Sequence, residues 1–475
     1  MFLDKDSRIK VRQDRHYVDN QGRVRIFHGF NAVNKAFPWY PQHMSNASLV
    51  KHYKEWGFNA VRLGTMWSGV EPEQGKYNET YLQVIRSQLS LLADNGMHAF
   101  LDMHQDVLSK RFGTYDGAPA WLVDILPKGT NPYPYPWKST KPFYAGGWAK
   151  QYFTEDCCAT FQGFYTTTST TLRSQDMFIA FWKKVASYTF KDVTSVLGYE
   201  LINEPWAGYV WADPLLFLPV KAGSQNLFPV YDKIARAIRE VDNGTIIMYE
   251  PVTWGYVLNG EILGTGIDTL PGGPEFRDRS ALSYHLYCWI HDGNHDPLTP
   301  FQKLACDDIQ EKAIISTAHG DMMRTGGGWF LTDFGGCQPD GNKNSSDTVM
   351  CNAMMEVADD HFASWTYWDE DFFDDQWHIQ WNIPGDLRAT AGTPLSLHWE
   401  VDAHSMTYSY VVDPKIGAPT EVFVPPIWHP LGMVLSCSDV LTYSFDEDNH
   451  VLLFKLDSTV INPQRVSIKV SPKAK

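Results

Sequence analysis

Two stretches of this chain end an apolar run in a carboxylic acid at a point where a strand cannot continue. In Leu197-Gly198-Tyr199-Glu200-Leu201-Ile202-Asn203-Glu204-Pro205, the acid Glu204 precedes a proline, which has no N–H to give a ladder. In Gly328-Trp329-Phe330-Leu331-Thr332-Asp333-Phe334-Gly335-Gly336, the acid Asp333 precedes glycines that let the backbone turn. Two acids delivered to one rim suit acetal chemistry. A protonated one can help a leaving oxygen depart while an ionised one, about 5–5.5 Å away, attacks the anomeric carbon. An isolated Asn-Glu-Pro is as readily an exposed strand end, so the other strand ends decide.

Those ends carry what a sugar site requires. Val61-Arg62-Leu63 places a guanidinium that can keep a nucleophilic carboxylate ionised. Asp102-Met103-His104-Gln105-Asp106 offers groups suited to sugar hydroxyls. In Tyr284-His285-Leu286-Tyr287, strand alternation sends His285 and Tyr287 to the same side. Trp365-Thr366-Tyr367-Trp368 offers an indole face for a ring. A lone buried His is more often a core residue, and Arg62 alone could be a structural ion-pair partner. A core-only account must treat all these placements as coincidence.

The elements that position them form a repeating pattern. Short apolar runs at 26–30, 60–63, 99–103, 197–202, 246–249, 281–287, 329–332 and 364–367 alternate with amphipathic helical stretches at 81–94, 176–188, 227–241 and 348–362. Eight such units predict an α/β fold, a (β/α)8 TIM barrel, whose active site lies at the carboxyl ends of the strands. Two loops are oversized. Residues 107–175 include prolines at 132, 134 and 136, which rule out a regular helix or central strand there. The apolar segment 214–220 follows Glu204 and reads either as a loop packed on its own barrel or as a slot for a lipid-like aglycone. From about residue 395 helical periodicity gives way to short strands at 407–412, 421–424, 440–445, 451–456 and 465–470. A barrel over 1–394 and a small antiparallel β-sandwich over 395–475 are expected.

Composition excludes several classes. With 40 basic against 55 acidic residues the net charge is -15, which opposes binding to phosphate backbones, so nucleic acid is not an expected partner. No run of about 18 apolar residues occurs, so no transmembrane helix is predicted. The charged start, Met1 to Asp6, lacks the apolar core of a signal peptide, which fits a cytosolic chain or one whose leader has been removed. Seven cysteines show no Cys-x-x-Cys metal spacing; Cys288–Cys306 and Cys337–Cys351 are the favoured disulfides. Asn-x-Ser/Thr sites begin at Asn46, Asn78, Asn243 and Asn344, compatible with secretion and close to chance frequency.

Asn-Glu-Pro on strand four, Arg on strand two, His-x-Tyr on strand six and Thr-acid-Phe-Gly on strand seven resemble glycoside hydrolase family 5. Within it, Phe30-Asn31-Ala32-Val33-Asn34-Lys35, Asp102-Met103-His104-Gln105-Asp106-Val107, Gly117-Ala118-Pro119-Ala120-Trp121 and Trp365-Thr366-Tyr367-Trp368-Asp369-Glu370-Asp371 look like the endoglycoceramidases. The resemblance covers roughly residues 9–390 and is only architectural beyond. It implies a retaining endo-β-glycosidase cutting between the glycan and ceramide of glycosphingolipids, with no cofactor or metal. Glu204 would be the acid/base, Asp333 the nucleophile, and Asn203 a donor to the sugar 2-hydroxyl. Lys35, Asp106 and Trp148 would touch the glycan, while His104, Tyr287 and Trp365 shape the cleavage subsite. It further implies a secreted or lysosomal monomer with transient contact to a membrane or micelle. The family carries Glu where this chain has Asp333, shorter by one C–C bond of about 1.5 Å. Three readings stay open: a glycosphingolipid hydrolase with an accommodated Asp, a glycolipid-binding protein of weak turnover, and a β-glucanase or β-glucosidase acting on soluble substrates.

Overall fold

A computed structural model describes residues 8–112, 117–127, 129, 148–166, 174–189, 193, 195–256, 264–287, 299–305, 312–335, 346–369, 386–400 and 402–473. Eight parallel strands close into a barrel: His28–Ala32, Ala60–Gly64, His98–Asp102, Val196–Glu200, Ile246–Tyr249, Ser280–Leu286, Gly328–Gly335 and Ser364–Trp368, the last pairing with the first. Each coincides with one of the eight apolar runs, because a strand buried on both faces reads as a continuous hydrophobic stretch. Before them, Lys10–Val11, Tyr17–Val18 and Val24–Arg25 form a small antiparallel sheet.

Alternation along the strands sorts side chains into two cores. Ala60, Phe100, Leu197, Ile246, Met248, Ala281 and Phe330 fill the barrel interior, floored by Ile9, Val11 and Tyr17 of the amino-terminal sheet and by Phe27. Val61, Leu63, Leu101, Tyr199, Tyr249, Tyr284, Leu331 and Tyr367 point the other way, into a larger core under the helices. Those helices begin where the chain supplies caps. The Asn78 side chain accepts from the Tyr81 N–H to start Glu79–Asp94, and Phe228–Val241 has proline in its first turn and one apolar face, with Tyr231, Ile234 and Ile238 buried.

The carboxy-terminal sandwich pairs two four-stranded antiparallel sheets. One runs Asp386–Ala389, Thr420–Phe423, Val451–Leu456, Leu441–Asp446; the other Gly392–Glu400, Ser405–Val412, Arg465–Pro472, Met433–Cys437. Its core of Leu387, Tyr408, Tyr410, Phe454 and Ile468 also takes in Ile26, and the Val24–Thr390 bridge and the Arg23–Glu421 ion pair tie it to the amino-terminal sheet. The sandwich starts ahead of residue 395, and Gly392–Glu400 straddles that position. Pro394 obscured this strand, yet it is an edge strand with a register shift between Pro394 and Ser396, a place where proline is tolerated.

Among the described residues no helix is long and apolar enough to cross a membrane. Cys157, Cys158 and Cys437 are free thiols and Cys351 is disulfide-bonded. Cys288, Cys306 and Cys337 lie outside the described residues, as does most of the proline-rich loop.

Phe330 is fully buried in the barrel interior and meets Phe100 at a ring separation of 5.1 Å. Phe330→Ala should therefore destabilise the fold by about 3–5 kcal/mol, the cost of a cavity that the closed sheet cannot collapse around. Urea unfolding should show a lower midpoint with an unchanged slope.

Candidate active site

The interior apolar layer is capped by a polar one. Two residues beyond Ala60 comes Arg62; beyond Phe100, Asp102; beyond Met248, Glu250; beyond Ser283, His285. Period-two alternation thus turns the inner positions polar as each strand reaches its carboxyl end.

Arg62 is the centre of this layer and has no solvent exposure. Its Nε donates to Glu200 Oε2 at 2.5 Å, Nη1 to Asn31 Oδ1 at 3.0 Å and to Asp333 Oδ2 at 3.1 Å, and Nη2 to Asn203 Oδ1 at 2.8 Å. Asp102 lies 3.3 Å and Glu250 3.7 Å from Nη2. Burial works against its charge, but Asp102, Glu200, Asp333 and Glu250 outweigh that and raise its pKa well above the usual value.

Asp333 reaches the mouth through a β-bulge. Leu331 pairs with Tyr284 and Asp333 with the very next residue, His285; on the other edge Leu331 pairs with Trp365 and Phe334 with Tyr367. One extra residue, Thr332, inverts the alternation, so that Trp329, Leu331 and Phe334 enter the outer core while Asp333 faces Arg62. The Tyr287 hydroxyl donates to Asp333 Oδ1. Burial pushes the Asp333 carboxyl up, opposed by His285, Arg62 and the Tyr287 hydrogen bond.

Glu204 sits just past the fourth strand with φ of 40°, a left-handed conformation that a non-glycine residue holds only when its surroundings fix it. Gln105 Nε2 donates to the carbonyls of both Asn203 and Glu204, at 2.7 and 3.0 Å, and Asn203 Nδ2 donates back to the Gln105 carbonyl at 2.9 Å. His285 Nδ1 stands 2.9 Å from Glu204 Oε1 and Nε2 stands 3.4 Å from Glu250 Oε1. Burial works to lower the His285 pKa, but Glu250, Glu204 and Asp333 prevail and hold it at about 10.

A second cluster adjoins the first. His104 Nδ1 contacts Asp102 Oδ2 at 2.7 Å, Nε2 lies 3.5 Å from Asp106 Oδ2, and Lys35 Nζ meets Asp106 at 2.5 Å. Trp368 stacks on His104 with rings 5.2 Å apart and 13° from parallel, and the Lys35 ammonium lies 4.3 Å from the Trp368 ring centre. Burial works to raise Asp106, but Lys35 and His104 keep its carboxyl well below the usual range.

Arg62, His104, Asp106, Lys35, Asn203, Glu204, His285, Tyr287 and Asp333 therefore come together. Trp365 does not. It shares the outward phase of Tyr367, is buried beneath the helices, and stacks on His28 at 4.4 Å; Trp368, of opposite phase, is the indole at the mouth. Trp148 opens the 3-10 helix Trp148–Phe153, and its side chain lies outside the described residues. The segment after Glu204 packs mainly on its own barrel, with Leu216 and Pro219 buried and Leu215 exposed. Sequence reasoning assigned no role to Asn31, Glu200 and Glu250, and read Gln105 as one of a run suited to sugar hydroxyls, whereas its amide clamps the Asn203 and Glu204 carbonyls. Glu250 had a signal, because Tyr249-Glu250-Pro251 repeats the acid-before-proline pattern of Glu204. Among the described residues, Glu200, Glu250 and His285 form one group whose ligand atoms lie within 4.8 Å of one another and could face a cation. The Arg62 guanidinium beside Glu200 and Glu250 already supplies positive charge there.

A closed barrel with an Asn-Glu pair after strand four, a second acid on strand seven and an arginine bridging them defines a barrel glycoside hydrolase. A cellulase (glycosyl hydrolase family 5) family model matches residues 18–373, and a glycoside hydrolase family 5 C-terminal domain model matches 388–470. The chain belongs to glycoside hydrolase family 5. An endoglycoceramidase of Cyanea nozakii is 37% identical over 369 residues, covering 74% of this chain and 67% of that protein. One of Hydra vulgaris is 34% identical over 371 residues, covering 74% and 64%. The chain thus spans about two thirds of the length of these relatives. Endo-glycoceramidase II from Rhodococcus sp. shares the fold at a TM-score of 0.76 and 25% identity, over 96% of this chain and 99% of that one.

Removing the Tyr287 hydroxyl removes a donor that favours ionised Asp333, so the Asp333 pKa rises further in Tyr287→Phe. The acidic limb of kcat/KM should move to higher pH, with activity lost first at low pH. An acidic limb that stays put or moves down would contradict this assignment.

Proposed function

We propose that this chain is a retaining endo-β-glycosidase that hydrolyses the bond between the glycan and ceramide of glycosphingolipids. The observation that carries the chemistry is Asp333, turned inward by the bulge and held by Arg62 and Tyr287. Glu204 protonates the leaving oxygen as the Asp333 carboxylate forms a bond to the anomeric carbon. Water then attacks that carbon, Glu204 takes its proton, and Asp333 is released. Arg62 and Tyr287 supply positive charge and a hydrogen bond to the attacking oxygens before reaction begins, so little reorganisation is needed. Trp368, His104, Lys35 and Asp106 present a flat aromatic face with charged edges, suited to a sugar ring and its hydroxyls.

The likeness to endoglycoceramidases supports a glycan–ceramide substrate over a soluble glucan. So do the exposed apolar tips. Phe37, Leu215, Phe301 and Leu304 are exposed and belong to the segments that follow strands one, four and six, which leave the barrel at the carboxyl ends where the site lies. In this reading they touch the membrane or micelle that holds the ceramide, and the enzyme works in a secreted or lysosomal setting.

Incubation with lactosylceramide should release intact disaccharide and ceramide. A 2-deoxy-2-fluoro glycoside with a good leaving group should accumulate as a covalent adduct on the peptide containing Asp333. Release of only a terminal monosaccharide would exclude the endo reading. Asp333→Glu separates the alternatives: it should lower or preserve turnover, whereas a rise of orders of magnitude would show a glycolipid-binding protein with a nucleophile placed too far back.

A further inference from the structure

Glu250 is held against the site by more contacts than a core carboxylate needs. Its Oε2 accepts the backbone N–H of Glu204 at 3.2 Å, on the residue with the left-handed backbone. Its Oε1 lies 3.4 Å from His285 Nε2, an ion-pair contact rather than a formed hydrogen bond, and 3.7 Å from Arg62 Nη2; neither Oε1 nor Nε2, both buried, has a hydrogen-bond partner among the described residues. The other imidazole nitrogen meets Glu204 Oε1 at 2.9 Å. One carboxyl group therefore holds Glu204 at both ends, the main chain directly and the side chain through the imidazole. Glu250 itself is 3% exposed and His285 8%, whereas Glu204 is 23% exposed and open to a substrate.

We infer that Glu250 is a positioning residue for the hydrolysis, which fixes Nδ1 of His285 as the nitrogen that donates to Glu204 and thereby keeps the second Glu204 oxygen free to pass its proton to the leaving group. This rests on the reading of Glu204 as acid/base. The inference holds for either location of the shared proton. If His285 is charged, its Nε2–H points at the Glu250 carboxylate; if His285 is neutral, a protonated Glu250 donates to Nε2. Both leave a proton on Nδ1, and in both the pair has no net charge. That neutrality matters, because an unbalanced imidazolium 2.9 Å from Glu204 would draw its proton off and spoil it as an acid. Without Glu250, neutral His285 is free to place its proton on Nε2, and a bare Nδ1 would accept the proton that Glu204 must deliver.

The surroundings agree. Arg62 from strand two, Glu200 from strand four and the Tyr231 ring from helix Phe228–Val241 also bear on Glu250, and Glu204 and Asp333 bear on His285. Burial pushes Glu250 well above the usual carboxyl range, against the opposing pull of His285 and Arg62, as expected where several acids share one guanidinium.

Leaving-group dependence tests the inference. Glycolipid cleavage needs proton donation to a poor alkoxide leaving group, while a 2,4-dinitrophenyl β-lactoside departs without it. Glu250→Leu should lower kcat/KM on lactosylceramide at least tenfold and on the dinitrophenyl substrate less than threefold, with Glu250→Gln falling between Leu and wild type because its amide can still bond Nε2. Glu204→Gln is the reference. If it fails to show the same split, the acid/base reading itself falls. If it shows the split but Glu250→Leu lowers both substrates equally, or neither, Glu250 is merely structural. Should the Leu variant not fold, Glu250→Gln carries the comparison alone: a loss confined to lactosylceramide supports the inference, and an equal loss or none overturns it.

Discussion

A single guanidinium at the mouth of a closed barrel, shared among carboxylates that water cannot reach, is the constraint on which this structure turns. Taking a charge out of water costs several kcal/mol even after relaxation, so Arg62 is tolerable only if every donor finds an acceptor. Four of its five N–H groups donate to Glu200, Asn31, Asn203 and Asp333, and Asp102 and Glu250 lie 3.3 and 3.7 Å from Nη2. These partners come from five different strands or the residues just past them. Side-chain alternation along each strand must therefore be in phase with all the others, and only a closed sheet of fixed register can impose that. The apolar layer below, from Ala60 to Phe330, keeps solvent from relieving the charge from beneath.

The same constraint explains why the two acids differ. Asp333 lies in direct contact with Arg62 and with the Tyr287 hydroxyl, an environment that favours its ionised form against burial. Glu204 touches neither Arg62 nor Tyr287. It is separated from the guanidinium by Asn203, whose side chain takes the Nη2 hydrogen bond, and its own carboxyl meets a nitrogen of His285 instead. Adjacent residues Asn203 and Glu204 thus divide the work, one satisfying the arginine and the other remaining available to the substrate. Gln105 clamps both carbonyls and so fixes the unusual backbone that makes the division possible.

Much of this was legible in the sequence, and the failures have physical causes. The eight strands showed because doubly buried strands are apolar throughout, and Glu204 and Asp333 showed because proline and glycine mark where strands stop. Trp365 was misassigned because Trp365 and Trp368 both lie in one aromatic run, and composition cannot say which phase faces the mouth; pairing with His28 and Leu331 sets it. Asp333 illustrates the converse. Strict alternation from Phe330 would have turned it outward, and only the bulge at Thr332, which depends on partners in two neighbouring strands, turns it in. Glu250 was overlooked because a buried acid next to Pro251 reads like any strand end until its contacts to Glu204 and His285 are seen. Of the sandwich, Gly392–Glu400 was hidden by Pro394, and the short strands Asp386–Ala389 and Met433–Cys437 went unread.

The Trp368–His104 face and Asp333 belong to one electrostatic unit rather than two neighbouring sites. Asp102 Oδ2 contacts both His104 Nδ1 and Arg62 Nη2, so basic and acidic groups alternate from Lys35 through Asp106, His104, Asp102 and Arg62 to Asp333. In such a series each group stabilises its neighbour, and a change at one end is felt at the other through short contacts in a poorly screened interior. A ring seated on Trp368 lies against His104 and Lys35, two members of that series. The Trp368 face and Asp333 are thereby linked through the same buried charges that oblige the strands to keep one register.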